Sequence, residues 1–155
     1  MKRYRIITAP KDRGKTTYVK KLIANDNNAI GFISEKDEKG YYLVNIVSLI
    51  KVPLLSLDAI SDTNFRRWYV NDKAFKSAYE YFTHISSIES KSVYLDEVGM
   101  MEREGDGFSE TLNFLKNKEI TLTITVRAEY LDEIISHFSF LKDAEIINVP
   151  SFELE

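Results

Sequence analysis

Arg5-Ile6-Ile7-Thr8-Ala9-Pro10-Lys11-Asp12-Arg13-Gly14-Lys15-Thr16-Thr17-Tyr18-Val19 is the stretch whose reading decides the fold. Arg5-Ile6-Ile7-Thr8 reads as a buried strand that begins almost at the N-terminus. Residues 9–16 fit the loop pattern A/G-x-x-x-x-G-K-[ST], and Tyr18, Val19, Leu22 and Ile23 then recur at the spacing of one helix face. A strand before the loop and a helix after it is the context in which such a loop binds phosphate. Successive backbone N–H groups point inward, and the helix start adds partial positive charge. Gly14 lets the backbone approach the phosphates with no Cβ in the way. Lys15 is expected to reach the β- and γ-phosphates, and the Thr16 hydroxyl to take a coordination place on Mg²⁺. The expected cradle is Ala9, Pro10, Lys11, Asp12, Arg13, Gly14, Lys15, Thr16 and Thr17. The competing reading, a basic strand–helix turn with an incidental glycine, loses to the matching context on both sides.

The rest of the composition bounds the chemistry. The 155 residues are 44% hydrophobic, enough for one domain, 1–155, with a sizeable core. A net charge of −3 gives no reason to expect nucleic acid or an anionic membrane as partner. The absence of cysteine excludes disulfides, thiolate metal sites and a cysteine nucleophile. Met1-Lys2-Arg3-Tyr4 is basic, but only Ile6-Ile7 precedes Thr8 as an apolar run, too short for a signal peptide. No stretch approaches the roughly 20 apolar residues of a membrane span, so a cytoplasmic location is expected. Nothing here sets an oligomeric state.

Outward from the loop, Asn25-Asp26-Asn27-Asn28 should end the first helix. Ile30–Ser34 and Tyr41–Val47, joined by Lys36-Asp37-Glu38-Lys39-Gly40, read as an antiparallel hairpin. Val52–Ile60 is weakly patterned and Pro53 suits an edge segment or loop, while Asp62–Asn71 reads as loop. Phe75, Ala78, Tyr79 and Phe82 mark a helix whose spacing continues to Ile85 and Ile88, with Asn71 or Asp72 as N-cap. Ser92–Glu97 is a short buried strand ending in two acids, and Glu102–Gly107 a charged loop. Phe108, Leu112 and Leu115 mark another helix, Ile120–Val126 the clearest strand, Tyr130–Phe140 a helix, and Glu145–Val149 a last strand. Strands alternating with helices indicate an α/β fold with a mostly parallel sheet and one antiparallel insertion.

Ligands of such sheets sit at the carboxyl ends of the strands. Asp96 ends an apolar strand, where a phosphate-loop enzyme places the acid that holds Mg²⁺. Glu97 follows, in position to orient or deprotonate an attacking water. Two solvated acids at a strand exit would look the same in isolation; the phosphate loop in the same chain tips the reading toward function.

Here the residues resemble the small P-loop nucleoside-triphosphatases of the hyperthermophile type, a family with a cancer-related human member. In that family the loop is followed by a second Thr, as in Thr16-Thr17, and the second motif runs Asp-Glu-apolar-Gly-x-Met-Glu. Asp96-Glu97-Val98-Gly99-Met100-Met101-Glu102 matches throughout, and Gly31-Phe32 before a hairpin also fits. The resemblance implies a RecA-like P-loop domain that hydrolyses ATP, GTP and other nucleoside triphosphates with Mg²⁺. Lys15, Thr16, Asp96 and Glu97 carry over by position, while Glu102 matches with no role attached. The chain departs from the family at Ala9 and Asp12, usually Gly, at Tyr41-Tyr42 just after the hairpin glycine Gly40, where a basic residue is usual, and at Pro150-Ser151-Phe152 at the end, where family members carry an Asn-Arg near the C-terminus.

Other residues have two readings each. Arg127 ends the clearest strand and either contacts the γ-phosphate or pairs with a surface acid. Arg13 serves similarly or is solvated, and Arg66-Arg67-Trp68-Tyr69 either stacks on a base or packs on the core through Trp68. His84 and His137 lack ligand partners in the sequence, and Asp106 reads as a helix N-cap. Hydrolysis is the first functional expectation, with Lys15, Glu97 and Arg127 as catalytic groups and Thr16 and Asp96 on Mg²⁺. Transfer of the γ-phosphate to a small acceptor and a nucleotide-binding switch are the alternatives.

Overall fold

Runs of β-branched and aromatic residues separated by amphipathic stretches resolve into strands and helices in the computed structural model, which describes residues 3–10, 14–56, 64–65 and 68–149. The elements are β1 (Tyr4–Ala9), α1 (Lys15–Ala24), β2 (Ala29–Asp37), β3 (Gly40–Asn45), β4 (Lys51–Ser56), β5 (Asn64–Phe65) and β6 (Trp68–Val70). There follow α2 (Asp72–His84), β7 (Ser92–Leu95), α3 (Ser109–Leu115), β8 (Thr121–Arg127), α4 (Leu131–His137) and β9 (Glu145–Asn148). The described strands form one sheet in the order β5-β6-β4-β3-β2-β7-β8-β1-β9. From β2 to β9 every pairing is parallel, and from β2 outward to β5 every pairing is antiparallel.

The alternation of β8 shows how the two faces are built. Leu122, Ile124 and Val126 enter the larger core with Ala78 and Phe82 of α2, Leu112 and Leu115 of α3, and Ile134 of α4. The opposite face is covered by α1, whose Val19 is buried among Ile7, Ala9, Ile33, Val44 and Tyr94. Tyr18, Leu22 and Ile23 pack around it, the helix face expected from their spacing. Tyr94 also donates its hydroxyl to Asp26 Oδ2 at 2.8 Å, and burial together with that bond pushes the phenol up to about 12. This ties the turn after α1 to the middle of the sheet.

Several boundaries differ from expectation. The antiparallel insertion is larger than one hairpin, because β4 and β6 continue it beyond β3. The stretch expected to be loop, Asp62–Asn71, supplies β5 and β6, since β4 would otherwise present an unpaired edge. Pro53 lies in β4 beside a register shift at Tyr41/Tyr42, where a missing N–H is tolerated. β3 stops at Asn45, whose Oδ1 accepts the N–H groups of Val47 and Ser48 and so turns the chain. The Lys36–Gly40 link shrinks to a tight turn, as Asp37 pairs with Gly40 and accepts the N–H groups of Lys39 and Gly40. α2 ends at His84, with Ile85 already extended, and Asn71 caps its start by accepting the N–H of Lys73. Asp106 is not the cap of α3: that position belongs to Phe108, with no side-chain cap. The Asp106 carbonyl instead accepts the Ser109 hydroxyl at 2.6 Å.

Candidate active site

The strand order places β8 between β1 and β7, so the carboxyl ends of all three open on one side of the sheet. β1 leads into the phosphate-loop segment, whose residues 11–13 lie outside the described residues. β7 stops at Leu95, so Asp96 and Glu97 lie just past the strand rather than within it. Asp96 is 2% exposed and surrounded by donors. Its Oδ2 accepts the Thr16 hydroxyl at 2.8 Å and the Ser34 N–H at 3.0 Å, and its Oδ1 accepts the Thr125 hydroxyl at 2.5 Å. Four segments of the chain, α1, β2, β7 and β8, therefore meet on one carboxylate. Charge-assisted hydrogen bonds of this number fix its orientation.

Lys15 opens α1 and is 3% exposed, and among the described residues no carboxylate lies within ion-pair distance of it. A buried ammonium without an anion is costly. An anionic ligand at this helix start would offset that cost and meet the free N–H groups of the first turn. Gly14, immediately before, is left-handed with φ 81°.

Glu97 is also left-handed, with φ 62°, an uncommon conformation for a residue with a Cβ. Its N–H donates to the Thr125 hydroxyl at 2.7 Å, and its carboxylate lies 3.8 Å from Arg127 Nε. Arg127 also approaches Glu129 at 3.9 Å. The strand-end arginine thus pairs with acids on its own side of the site. A cleft of about 440 Å³ opens beside Glu97, bounded by Thr16 and Lys20 of α1 and by Ser34, Glu35 and Lys36 of β2. Glu35 is paired with Lys51 at 2.9 Å, a contact that holds its carboxyl below the ordinary range.

A family model described as NTPase matches residues 4–153. The chain belongs to the NTPase family. No curated protein matches it. Among solved structures, THEP1 from the hyperthermophile Aquifex aeolicus aligns with a TM-score of 0.74 at 22% identity, over 94% of this chain and 89% of that one. A human cancer-related nucleoside triphosphatase aligns with a TM-score of 0.72 at 20% identity, over 96% of this chain and 89% of that one. At these identities the likeness shows the fold: the α/β architecture of P-loop NTPases, with a mostly parallel core sheet flanked by helices.

Within this NTPase fold, Lys15, Thr16, Asp96, Glu97 and Arg127 gather at one end of the sheet. Ala9 is buried in the smaller core with Val19 of α1. Pro10 and Thr17 are exposed, and Lys11, Asp12 and Arg13 lie outside the described residues. So do Arg66-Arg67 and Pro150-Ser151-Phe152, while Trp68 and Tyr69 are described only as backbone of β6. His84 Nδ1 lies 2.7 Å from the Glu80 carbonyl, and the ring of His137 packs edge-on to Phe138, so neither enters the site.

Two contributors escaped the sequence reading. Thr125 looked like one more β-branched strand residue, although its place third from the end of β8, on the face opposite Leu122, Ile124 and Val126, brings its hydroxyl to Asp96 and Glu97. Glu102 sat in a motif match without a role. It is buried rather than part of a charged loop, and its two oxygens accept the N–H groups of Gly99 and Phe108 at 2.7 and 2.8 Å. Burial pushes its carboxyl up to about 7, although those two N–H groups favour the ionised form.

Thr16 Oγ1 and Asp96 Oδ2, adjacent and both oxygen donors, are the donor chemistry that suits Mg²⁺, which takes few protein ligands. No cluster of three or more His, Cys, Asp or Glu suited to a metal occurs among the described residues. No described helix is long and apolar enough to cross a membrane.

Proposed function

We propose that this chain hydrolyses nucleoside triphosphates to the diphosphate and phosphate in a Mg²⁺-dependent reaction, as one domain. The observation that carries the reading is the 2.8 Å hydrogen bond from Thr16 to Asp96, which joins the residue after the loop lysine to the acid after β7. Both belong to a site that also holds a buried lysine, Lys15, with no carboxylate within ion-pair distance among the described residues.

In this reading the loop from Ala9 to Thr17 wraps the phosphate chain, and the Lys15 ammonium neutralises the β- and γ-phosphate oxygens. Thr16 and Asp96 would hold Mg²⁺, which when bound spreads the charge developing on those oxygens. Glu97 orients a water for in-line attack on the γ-phosphorus and draws off its proton. Arg127 holds the Glu97 carboxylate from behind and adds positive charge next to the transferring group. Transfer of the γ-phosphate to a small acceptor is the second reading, and the open cleft of about 440 Å³ beside Glu97, between α1 and β2, is where that acceptor would enter.

Phosphate release from ATP, GTP, CTP and UTP, measured with Mg²⁺ and with EDTA, separates the cases. Release that requires only Mg²⁺ and nucleotide supports hydrolysis. Turnover that appears only when an acceptor is added supports the phosphotransferase. Absence of turnover under every condition contradicts both.

A further inference from the structure

Glu102 is as buried as Asp96, yet it belongs to no part of the proposed phosphate site. Its carboxylate spans the loop between β7 and α3, with Oε1 on the Gly99 N–H and Oε2 on the Phe108 N–H. The cradle is cut to fit it. Gly107 is left-handed, and a Cβ there would lie 2.0 Å from Glu102 Oε2. A Cβ on Gly99 would lie 3.0 Å from the Tyr130 ring, so the same loop is pressed against the start of α4. The neighbouring Arg103 anchors it again, with Nη1 2.9 Å from both Glu133 oxygens and the guanidinium 5.2 Å from the Tyr130 ring centroid.

The other end of this loop carries Glu97. Its N–H is held by the Thr125 hydroxyl, and the Val98 N–H donates to the Thr125 carbonyl at 2.9 Å. Only the buried Val98 separates Glu97 from Gly99. A left-handed residue with a Cβ costs about 1–3 kcal/mol and persists where its surroundings fix it from both sides. Here Thr125 fixes one side and the Glu102 clamp the other. An apolar side chain in place of Glu102 would leave the Gly99 and Phe108 N–H groups unpaired, so the carboxylate fixes the path of the backbone at both ends of the turn that follows Glu97.

We propose that Glu102 is a positioning residue: by clamping the loop after β7 at Gly99 and Phe108, it sets the direction of the Glu97 carboxylate. The inference rests on the role given to Glu97 in hydrolysis. It identifies the last acid of the Asp96–Glu102 motif as a brace for the second.

The test compares Glu102→Gln, Gly107→Ala and Arg103→Ala with the unaltered chain, each also on a Glu97→Gln background. Single-turnover phosphate release, affinity for a fluorescent nucleotide analogue and circular dichroism at the assay temperature are read together. For folded protein, Glu102→Gln and Gly107→Ala should keep nucleotide affinity within about threefold and lose about tenfold to a hundredfold in rate. On the Glu97→Gln background they should cost almost nothing further, because both act through the same group. Arg103→Ala, on the more exposed part of the clamp, should give a smaller loss with the same non-additivity, and serves where the buried variants do not fold. An unchanged rate in folded variants overturns the inference, as does an equal loss with and without Glu97. If the unaltered chain releases no phosphate, the hydrolysis reading fails first and the clamp falls with it.

Discussion

The Thr125 hydroxyl donates to Asp96 and accepts from the Glu97 N–H, so one neutral side chain aligns both acids of the site. Thr125→Val keeps the shape and removes both bonds, taking a donor from Asp96 Oδ1 and an acceptor from the Glu97 N–H. We expect it to lower stability by about 1–3 kcal/mol in urea unfolding and to slow phosphate release by about tenfold or more. Lys15→Ala should act differently, with the loss appearing as weakened nucleotide affinity in a binding titration while the fold is kept. At this scale the sequence was readable where chemistry needs a particular residue type. Lys15, Thr16, Asp96 and Glu97 could be put forward because the proposed chemistry admits few other residue types at those places, whereas Thr125 could not, because threonine is also an ordinary strand former. The burial of Glu102 was hidden for a related reason: in Met101-Glu102-Arg103-Glu104-Gly105-Asp106-Gly107 the charges imply a solvated loop, and only the fold brings two backbone N–H groups to one of them.

Among the elements, β2 meets β7 at Gly31, which pairs with Tyr94 and has φ 126°. A Cβ there would lie 2.1 Å from the Tyr94 carbonyl oxygen. Gly31→Ala should therefore cost at least about 3 kcal/mol, from backbone strain and steric clash together, and urea unfolding measures it. It should also reduce activity, since β2 carries Ser34 to Asp96 and β7 leads directly into Asp96. β1, α1 and β8 were legible from periodicity and β-branching. The outer antiparallel strands were not, because β5 and β6 are too short to show a pattern and owe their conformation to pairing, β6 with the edge of β4 and β5 with β6.

For the whole molecule, the buried Glu102 carboxyl links stability to pH. Its pKa is raised to about 7 in the folded chain against an ordinary 4.5, so below 4.5 it is protonated in both states. Between those values the unfolded chain ionises first, and the stability this group contributes is lost as pH rises toward 7. The loss is on the order of 3 kcal/mol. Urea unfolding from pH 4.5 to 7.5 should show this decline over any opposing titrations, and Glu102→Gln should flatten that part of the profile. A Glu102 titration near 4.5 in carboxyl NMR would contradict it.

The central claim, hydrolysis with Glu97 directing the water, is tested most directly by comparing Glu97→Gln with the unaltered chain for nucleotide affinity and single-turnover phosphate release in Mg²⁺. The account expects affinity preserved within about threefold and the rate reduced by about a hundredfold or more. Equal rates in the two proteins, or loss of binding in proportion to loss of rate, would contradict it.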